Sequence, residues 1–382
     1  MQREMDSFFR EVNQDGFNIR KVTKGAFSKS RKNLKPEAFL ELNDLVCGDF
    51  YENAPYLAYN GHRVLAIDGS TLALPNHPET KAEFGSHKFG PKADNEKSMA
   101  RVSLLFDPAN YMTVDAQLGS FDTSEKDLML RHLDKVKPGD LLLMDRGYPS
   151  LFLFALLGAR GIHFCVRMKD YWWKEVADFA DREADQKEVV FTLSAKQLKE
   201  YKGQYPELPS SVHCRLVKVK LKDGNEEILC TSLLDQEVYP LDHFEEIYHW
   251  RWGEEEGYKM YKSRIGIEAF TGKTPVAIKQ DIYAKVFMMS YCAAYAFPIA
   301  EKVKKEYAQS ATRKHPQKIN RTNAVANFRN IIVSLLLINK IDESTKAFDD
   351  NVFRTREIIR PNRKLPRNHK PKRSYYMNYK EL

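Results

Sequence analysis

The chain has 382 residues, 43% of them hydrophobic, and a formal net charge of +8. That length supports a catalytic-sized core with appended segments and argues against a small stapled scaffold. The five cysteines are odd in number and form no Cys-x-x-Cys pair, which argues against a zinc cluster or a disulfide framework and fits a reducing, cytoplasmic setting.

Residues 1–58 read as a separate helical region. Positions 27–34 are basic, and Pro36 suits the first turn of a helix over 37–45. Two short helices around a turn could present Lys24, Lys29, Arg31 and Lys32 to phosphate. A packing scaffold explains the same pattern equally well.

The run His62-Arg-Val-Leu-Ala-Ile-Asp68-Gly predicts a buried strand whose last residue, an acid, emerges at a sheet edge. Residues 74–97, with three prolines and two glycines, predict a long surface loop. Residues 101–106 and 111–118 predict a β-hairpin around Asp107-Pro-Ala-Asn110. A helix then opens at residues 123–127, with Ser124 and Asp127 near capping-box spacing, and runs to about residue 136. After Pro138-Gly139 comes Asp140-Leu-Leu-Leu-Met-Asp145-Arg-Gly, a second apolar run ending in Asp. Two such strands side by side bring two carboxylates together. A helix over 150–157 and a strand over 162–167 continue the alternation of an α/β sheet.

Residues 169–238 contain charged, β-rich pieces, including 212–222, a turn at 223–225 and 227–233, and predict a β-insertion. Its Trp172 and Trp173 are expected either in the core of that insertion or exposed for stacking on a nucleobase. Further on, residues 274–298 predict a mostly buried helix, and 322–337 another. The best apolar run, 286–300, is broken by Ser290, Tyr291 and Pro298 and is too short to span a bilayer, and the first residues lack an apolar signal core; no membrane association is expected. Residues 353–382 hold ten Lys/Arg against two Asp/Glu. With Pro361, Pro366, Pro371, Tyr375, Tyr376 and Tyr379 interleaved, this tail reads as extended and polyanion-binding, or as a solubilising tail.

The remaining stretch is Tyr248-His-Trp-Arg251-Trp-Gly-Glu-Glu255-Glu-Gly-Tyr-Lys-Met-Tyr-Lys262. At about 100° per residue, with Tyr248 at zero, Arg251 lies at about 300°, Glu255 at about 340° and Lys262 at about 320°. Glu254 at about 240° and Glu256 at about 80° fall to either side. Glu255 is therefore the acid that shares a face with the bases. A solvated helix with an Arg251/Glu255 surface pair is the plain alternative.

This Tyr-Arg-Glu-Lys spacing resembles the signature around the last acid of the DDE transposases of the insertion-sequence-four group. The resemblance implies an α/β fold with an RNase H-like mixed sheet, a β-rich insertion, a helical N-terminal region and C-terminal helices. It divides the chain into 1–58, a possible DNA-end-binding region; 59–168 and 239–310, the two parts of the catalytic core; 169–238, the insertion; and 311–382, helix and basic tail. By the same resemblance Asp68, Asp145 and Glu255 are the catalytic, metal-holding acids. Tyr248, Arg251 and Lys262 contact DNA phosphates, and Arg146, which follows the second acid, is expected to do likewise. Carboxylates on separate elements suit Mg²⁺, with Mn²⁺ as a substitute, because hard cations take oxygen ligands. A pair of such ions roughly 4 Å apart serves phosphoryl transfer.

The implied partners are double-stranded DNA, as inverted-repeat ends and as target, and a second copy of the chain on that DNA. Relatives with a β-insertion are expected to cut through a hairpin intermediate, relieved by stacking an extruded base on one of the tryptophans. A transposase-derived DNA-binding protein without cleavage is the alternative, and a glycosidase with two carboxylates is disfavoured by the basic surroundings of Glu255.

Overall fold

The structure is a computed structural model that describes residues 1–88, 96–220, 226–310 and 312–360, with the side chains of residues 252 and 254–256 outside the description. The chain forms two compact units. A largely helical unit comprises Met1–Asn53, Ala73–Met99 and Met260–Leu382, and a sheet unit comprises Ala54–Leu72 and Ala100–Lys259.

In the helical unit, α1 (Gln2–Asn13), α2 (Lys24–Arg31) and α3 (Ala38–Asn53) realise the expected N-terminal helices. The Thr23 side chain caps α2 by accepting from the Ala26 N–H, satisfying one of the donors that a helix start leaves open. Lys24, Lys29 and Lys32 are exposed. Arg31 is not available to phosphate as expected: its guanidinium donates to Gln280 Oε1 (2.6 Å), Thr271 Oγ1 (2.6 Å) and Asp281 Oδ1 (3.1 Å).

Strand β1 (Val64–Ala73) begins in the sheet unit and continues past Asp68, where the strand was expected to end. The predicted surface loop over 74–97 is also corrected. It holds α4 (Pro78–Phe84), β2 (Ser86–Lys88) and the start of β3 (Glu96–Asp107), while residues 89–95 lie outside the described residues. Prolines there serve as helix starters and buried packing, with Pro78 in the first turn of α4 and Pro75 buried. β3 and β4 (Met112–Ser120) form the expected antiparallel hairpin, with a bulge between Leu105 and Phe106. Ser124 then caps α5 (Glu125–His132) by accepting from the Asp127 N–H.

β5 (Leu141–Met144), α6 (Leu151–Ala159) and β6 (His163–Arg167) follow as expected. β1 pairs in parallel with β5, and β5 in parallel with β6. Parallel central strands are covered on both faces, so they read as unbroken apolar runs; all four residues of β5 are fully buried. Val64, Ala66, Leu141 and Leu143 form one core cluster with Cys165, Val217, Leu229, Phe244 and Tyr248.

The region expected as an insertion contains α7 (Lys174–Ala180), β7 (Gln186–Thr192), α8 (Ala195–Tyr201), β8 (Ser211–Lys220) and β9 (Glu226–Thr231). The turn expected at 223–225 lies outside the described residues. Its three strands extend the main sheet: β9 pairs antiparallel with β6, β8 with β9 and β7 with β8. The sheet order is thus β3-β1-β5-β6-β9-β8-β7, with β4 and β2 both on β3. This is a mixed α/β sheet carrying a β-rich extension. The helix α9 (His243–Lys259) then packs Phe244, Ile247 and Tyr248 onto the same core cluster.

Returning to the helical unit, α10 (Pro275–Ala308) runs through Pro298, ten residues beyond its predicted end. By length and composition alone it could cross a bilayer, but 56% of its most apolar window is buried inside the protein, and Phe297 packs edge-on against Phe50 of α3 (5.2 Å). β10 (Gln317–Lys318), α11 (Arg321–Leu336), α12 (Ile341–Arg354) and β11 (Glu357–Ile358) complete the unit, with β11 antiparallel to β10. The basic tail from 361 onward lies outside the described residues.

Candidate active site

The parallel register of β1 and β5 pairs Val64 with Leu141 and Ile67 with Met144. Asp68 and Asp145 are each the next residue, so neighbouring strands deliver both acids at one level of the sheet. β5 stops at Met144 while β1 continues. Asp68 is therefore uncovered by the end of its partner and not by the end of its own strand.

Both carboxylates are poorly served by the protein. Asp68 Oδ1 accepts from the Gly69 N–H (2.8 Å), yet burial pushes this carboxyl up to about 6, with Glu125 and Asp145 adding to the rise and Arg251 opposing it. Oδ1 of Asp145 is buried with no hydrogen-bond partner among the described residues. An anionic oxygen in that state calls for a cation.

One acid at this locus was missed in the sequence. Glu125, the first residue of α5, lies so close to Gly69 that a Cβ there would sit 2.7 Å from Glu125 Cγ, and its Oε2 is 3.6 Å from where a Cβ on Gly147 would be. Its partner is Arg101 on β3, at 2.8 Å. The glycines that follow each aspartate thus make room for this third carboxylate. The only available signal was the first-turn position of Glu125 after a capping serine.

α9 brings the signature residues. Gly253 lies against the β3–β4 turn so closely that a Cβ would be 2.7 Å from Pro108 Cβ. Tyr248 and Arg251 are 2% and 6% exposed, with the guanidinium 5.4 Å from the phenol ring centre. Burial pushes the Tyr248 phenol up, and its hydroxyl has no hydrogen-bond partner among the described residues. Both were expected as phosphate contacts; the structure places them beneath the surface. Glu255 is on this helix, and its carboxylate lies outside the described residues, as do those of Glu254 and Glu256 and the ring of Trp252.

Residues 59–292, well over half the chain, match the family described as "Transposase DDE domain". The chain belongs to this family of DDE transposases. It is 24% identical over 292 residues to the transposase InsG for insertion sequence element IS4 of Escherichia coli (strain K12), covering 74% of this chain and 63% of that relative. The chain therefore spans less than two thirds of that relative's length. Among solved structures it is similar to a piggyBac transposase in a cryo-EM synaptic complex with hairpin DNA, with a TM-score of 0.41 and 9% identity over 76% of this chain and 57% of that one.

Other residues singled out in the sequence scatter. The α-helix ends at Lys259, and residues 260–265 form a π-helical turn, so the constant rotation that put Lys262 on the face of Glu255 stops short of it. Lys262 and Arg146 are exposed. Trp172 is 43% exposed, with the Lys169 ammonium 3.9 Å from its ring centre. Trp173 is packing: it meets Phe154 at 5.5 Å and Phe191 at 4.9 Å. Trp250 packs against the core cluster and edge-on to Tyr59. The DDE family implies a divalent metal. Among the described residues no three potential ligands cluster closely enough to hold one, but the hard oxygen donors of Asp68 and Asp145, one of them orphaned, suit such an ion.

Proposed function

We propose that this DDE transposase binds the inverted-repeat ends of an insertion sequence and cuts and joins DNA at Asp68, Asp145 and Glu255. The observation that carries this reading is the parallel register that sets Asp68 beside Asp145, each one residue past a paired apolar residue. Asp68, Asp145 and Glu255 would hold Mg²⁺, or Mn²⁺ in its place, which would activate an oxygen nucleophile and stabilise charge on the leaving oxygen. Arg251 lowers the cost of ionising Asp68. Exposed Arg146 and Lys262 hold phosphate in this reading, and the Arg251 guanidinium lies 5.4 Å from the Tyr248 ring centre.

The route of second-strand cleavage belongs to the same proposal: a hairpin on the element end, with an extruded base stacked on Trp172. So do the DNA-bound homodimer and the division into an end-binding region (1–58), a split catalytic core, an insertion (169–238) and a basic tail.

The test is a denaturing gel of end-labelled duplex, carrying the repeats that flank the gene, incubated with protein and Mg²⁺. Asp68→Ala, Asp145→Ala and Glu255→Ala should each abolish cleavage while retaining DNA binding, and Glu254→Ala and Glu256→Ala should cut. Wild-type protein that binds these ends and never cuts them would favour a DNA-binding protein derived from a transposase. Linear products alone, with no band at twice the strand length, would remove the hairpin route and leave the three acids standing.

A further inference from the structure

The main-chain oxygen of Asp68 accepts two side-chain hydrogen bonds from two other elements. The Tyr258 hydroxyl, on α9, donates at 2.9 Å, and the Ser103 hydroxyl, on β3, at 3.3 Å. Ser103 Oγ is in turn 3.0 Å from His132 Nε2, and His132 Nδ1 is 2.7 Å from Asp115 Oδ2. All three of these residues are buried, so the longer contact is backed by a fixed chain reaching to α5 and β4.

Tyr258 is three residues after Glu255 on one helix. Positions three apart are neighbours on a helix surface, so the phenol that grips the Asp68 backbone stands one turn from the third acid. Arg251 on α9 acts on the Asp68 carboxylate through charge, whereas the apolar packing of the helix and its glycine contacts lie elsewhere. A helix held only by apolar contact can slide by fractions of an ångström at little cost, whereas a hydroxyl bonded to one carbonyl oxygen sets a distance.

We propose that Tyr258 is a positioning residue that fixes α9, the helix carrying Glu255, against the Asp68 backbone by bonding the Asp68 carbonyl oxygen. This rests on the reading of those acids as the metal site. Tyr258 touches neither DNA nor the reacting atoms; it acts on metal affinity through the geometry of the two acids. Outer partners that orient metal ligands contribute about 10-fold or more to affinity.

The experiment is calorimetric titration of Mn²⁺ into the full chain without DNA, for wild type, Tyr258→Phe and Asp68→Ala, with thermal melting of each. Tyr258→Phe keeps the ring and removes the one donor. It should melt within a few degrees of wild type, bind Mn²⁺ about 10-fold more weakly, and regain most of the wild-type cleavage rate at saturating Mn²⁺. Affinity equal to wild type, with Asp68→Ala unable to bind, would overturn the proposal and leave the three-acid site intact. Unchanged binding in Asp68→Ala as well would bring down both. If Tyr258→Phe does not fold, Ser103→Ala removes the longer donor and must show a smaller loss in the same direction; unchanged affinity there overturns the proposal equally.

Discussion

Arg63 and Asp140 form a buried two-pronged pair, with Nε donating to Oδ1 at 3.0 Å and the Nη2 amine to Oδ2. They stand one residue before the paired Val64 and Leu141. Five residues further along each strand are Asp68 and Asp145. The same two strands thus carry an ion pair at one end and the two acids at the other, and a slip of one residue would separate both pairs together.

Breaking this pair should therefore cost more than an ordinary salt bridge. Asp140→Ala takes the carboxylate from the buried Arg63 guanidinium, which keeps its bond to the Lys135 carbonyl oxygen, and is expected to destabilise by about 3–5 kcal/mol. Arg101→Ala, which breaks the half-exposed pair with Glu125, should cost about 1 kcal/mol or less. Urea unfolding of the two variants measures the difference; equal losses would refute the assignment of Arg63 and Asp140 as the register lock.

The two adjacent tryptophans should separate by assay. Trp173→Ala empties a site between Phe154 and Phe191 and should lose on the order of 3 kcal/mol of stability. Trp172→Ala should leave stability within about 0.5 kcal/mol and weaken single-stranded DNA binding about 10-fold, the value of one stacked base. Wild-type affinity in Trp172→Ala would remove it as a stacking platform.

Acid should unfold the protein partly through Asp115. Burial alone would raise this carboxyl, but the hydrogen bond and charge of His132, with Gln117 and the Ala116 N–H, outweigh it and hold the group below its ordinary value of 3.8. A carboxyl depressed on folding contributes stability above its unfolded value and loses it as pH falls through its folded value. Asp115→Asn should accordingly lower stability near neutrality and flatten its fall below about pH 4. Parallel wild-type and mutant stability curves across that range would show that Asp115 is not the group responsible.

Deleting residues 361–382, which hold seven Lys/Arg and one Glu, should flatten the salt dependence of DNA binding, since each phosphate neutralised releases about one counterion. The cut belongs at 361 and not at 353, because α12 and β11 occupy residues up to 358. A salt titration on one duplex decides it, and an unchanged slope would make the tail a passenger.

What the sequence by itself determined was local. Val64–Ile67 and Leu141–Met144 announce buried strands because nothing polar interrupts them, Asp107–Asn110 announces a turn, Ser124 a helix start, and the Tyr248-to-Glu255 spacing a helix with its family. Each is legible because a chain's apolar period and its turn and cap residues act within a few positions. Tertiary structure decided everything that needed a distant partner. β1 runs on past Asp68 because β3 lies beside it, residues 169–238 join the sheet because β9 finds the free edge of β6, and Arg31 is spent on α10. Glu125 reaches the aspartates only when α5 meets the glycines that follow them, and Tyr258 finds the Asp68 carbonyl only across 190 positions. Trp172 and Trp173 are adjacent in the chain and alike in type; only packing against Phe154 and Phe191 tells the half-buried ring from the exposed one.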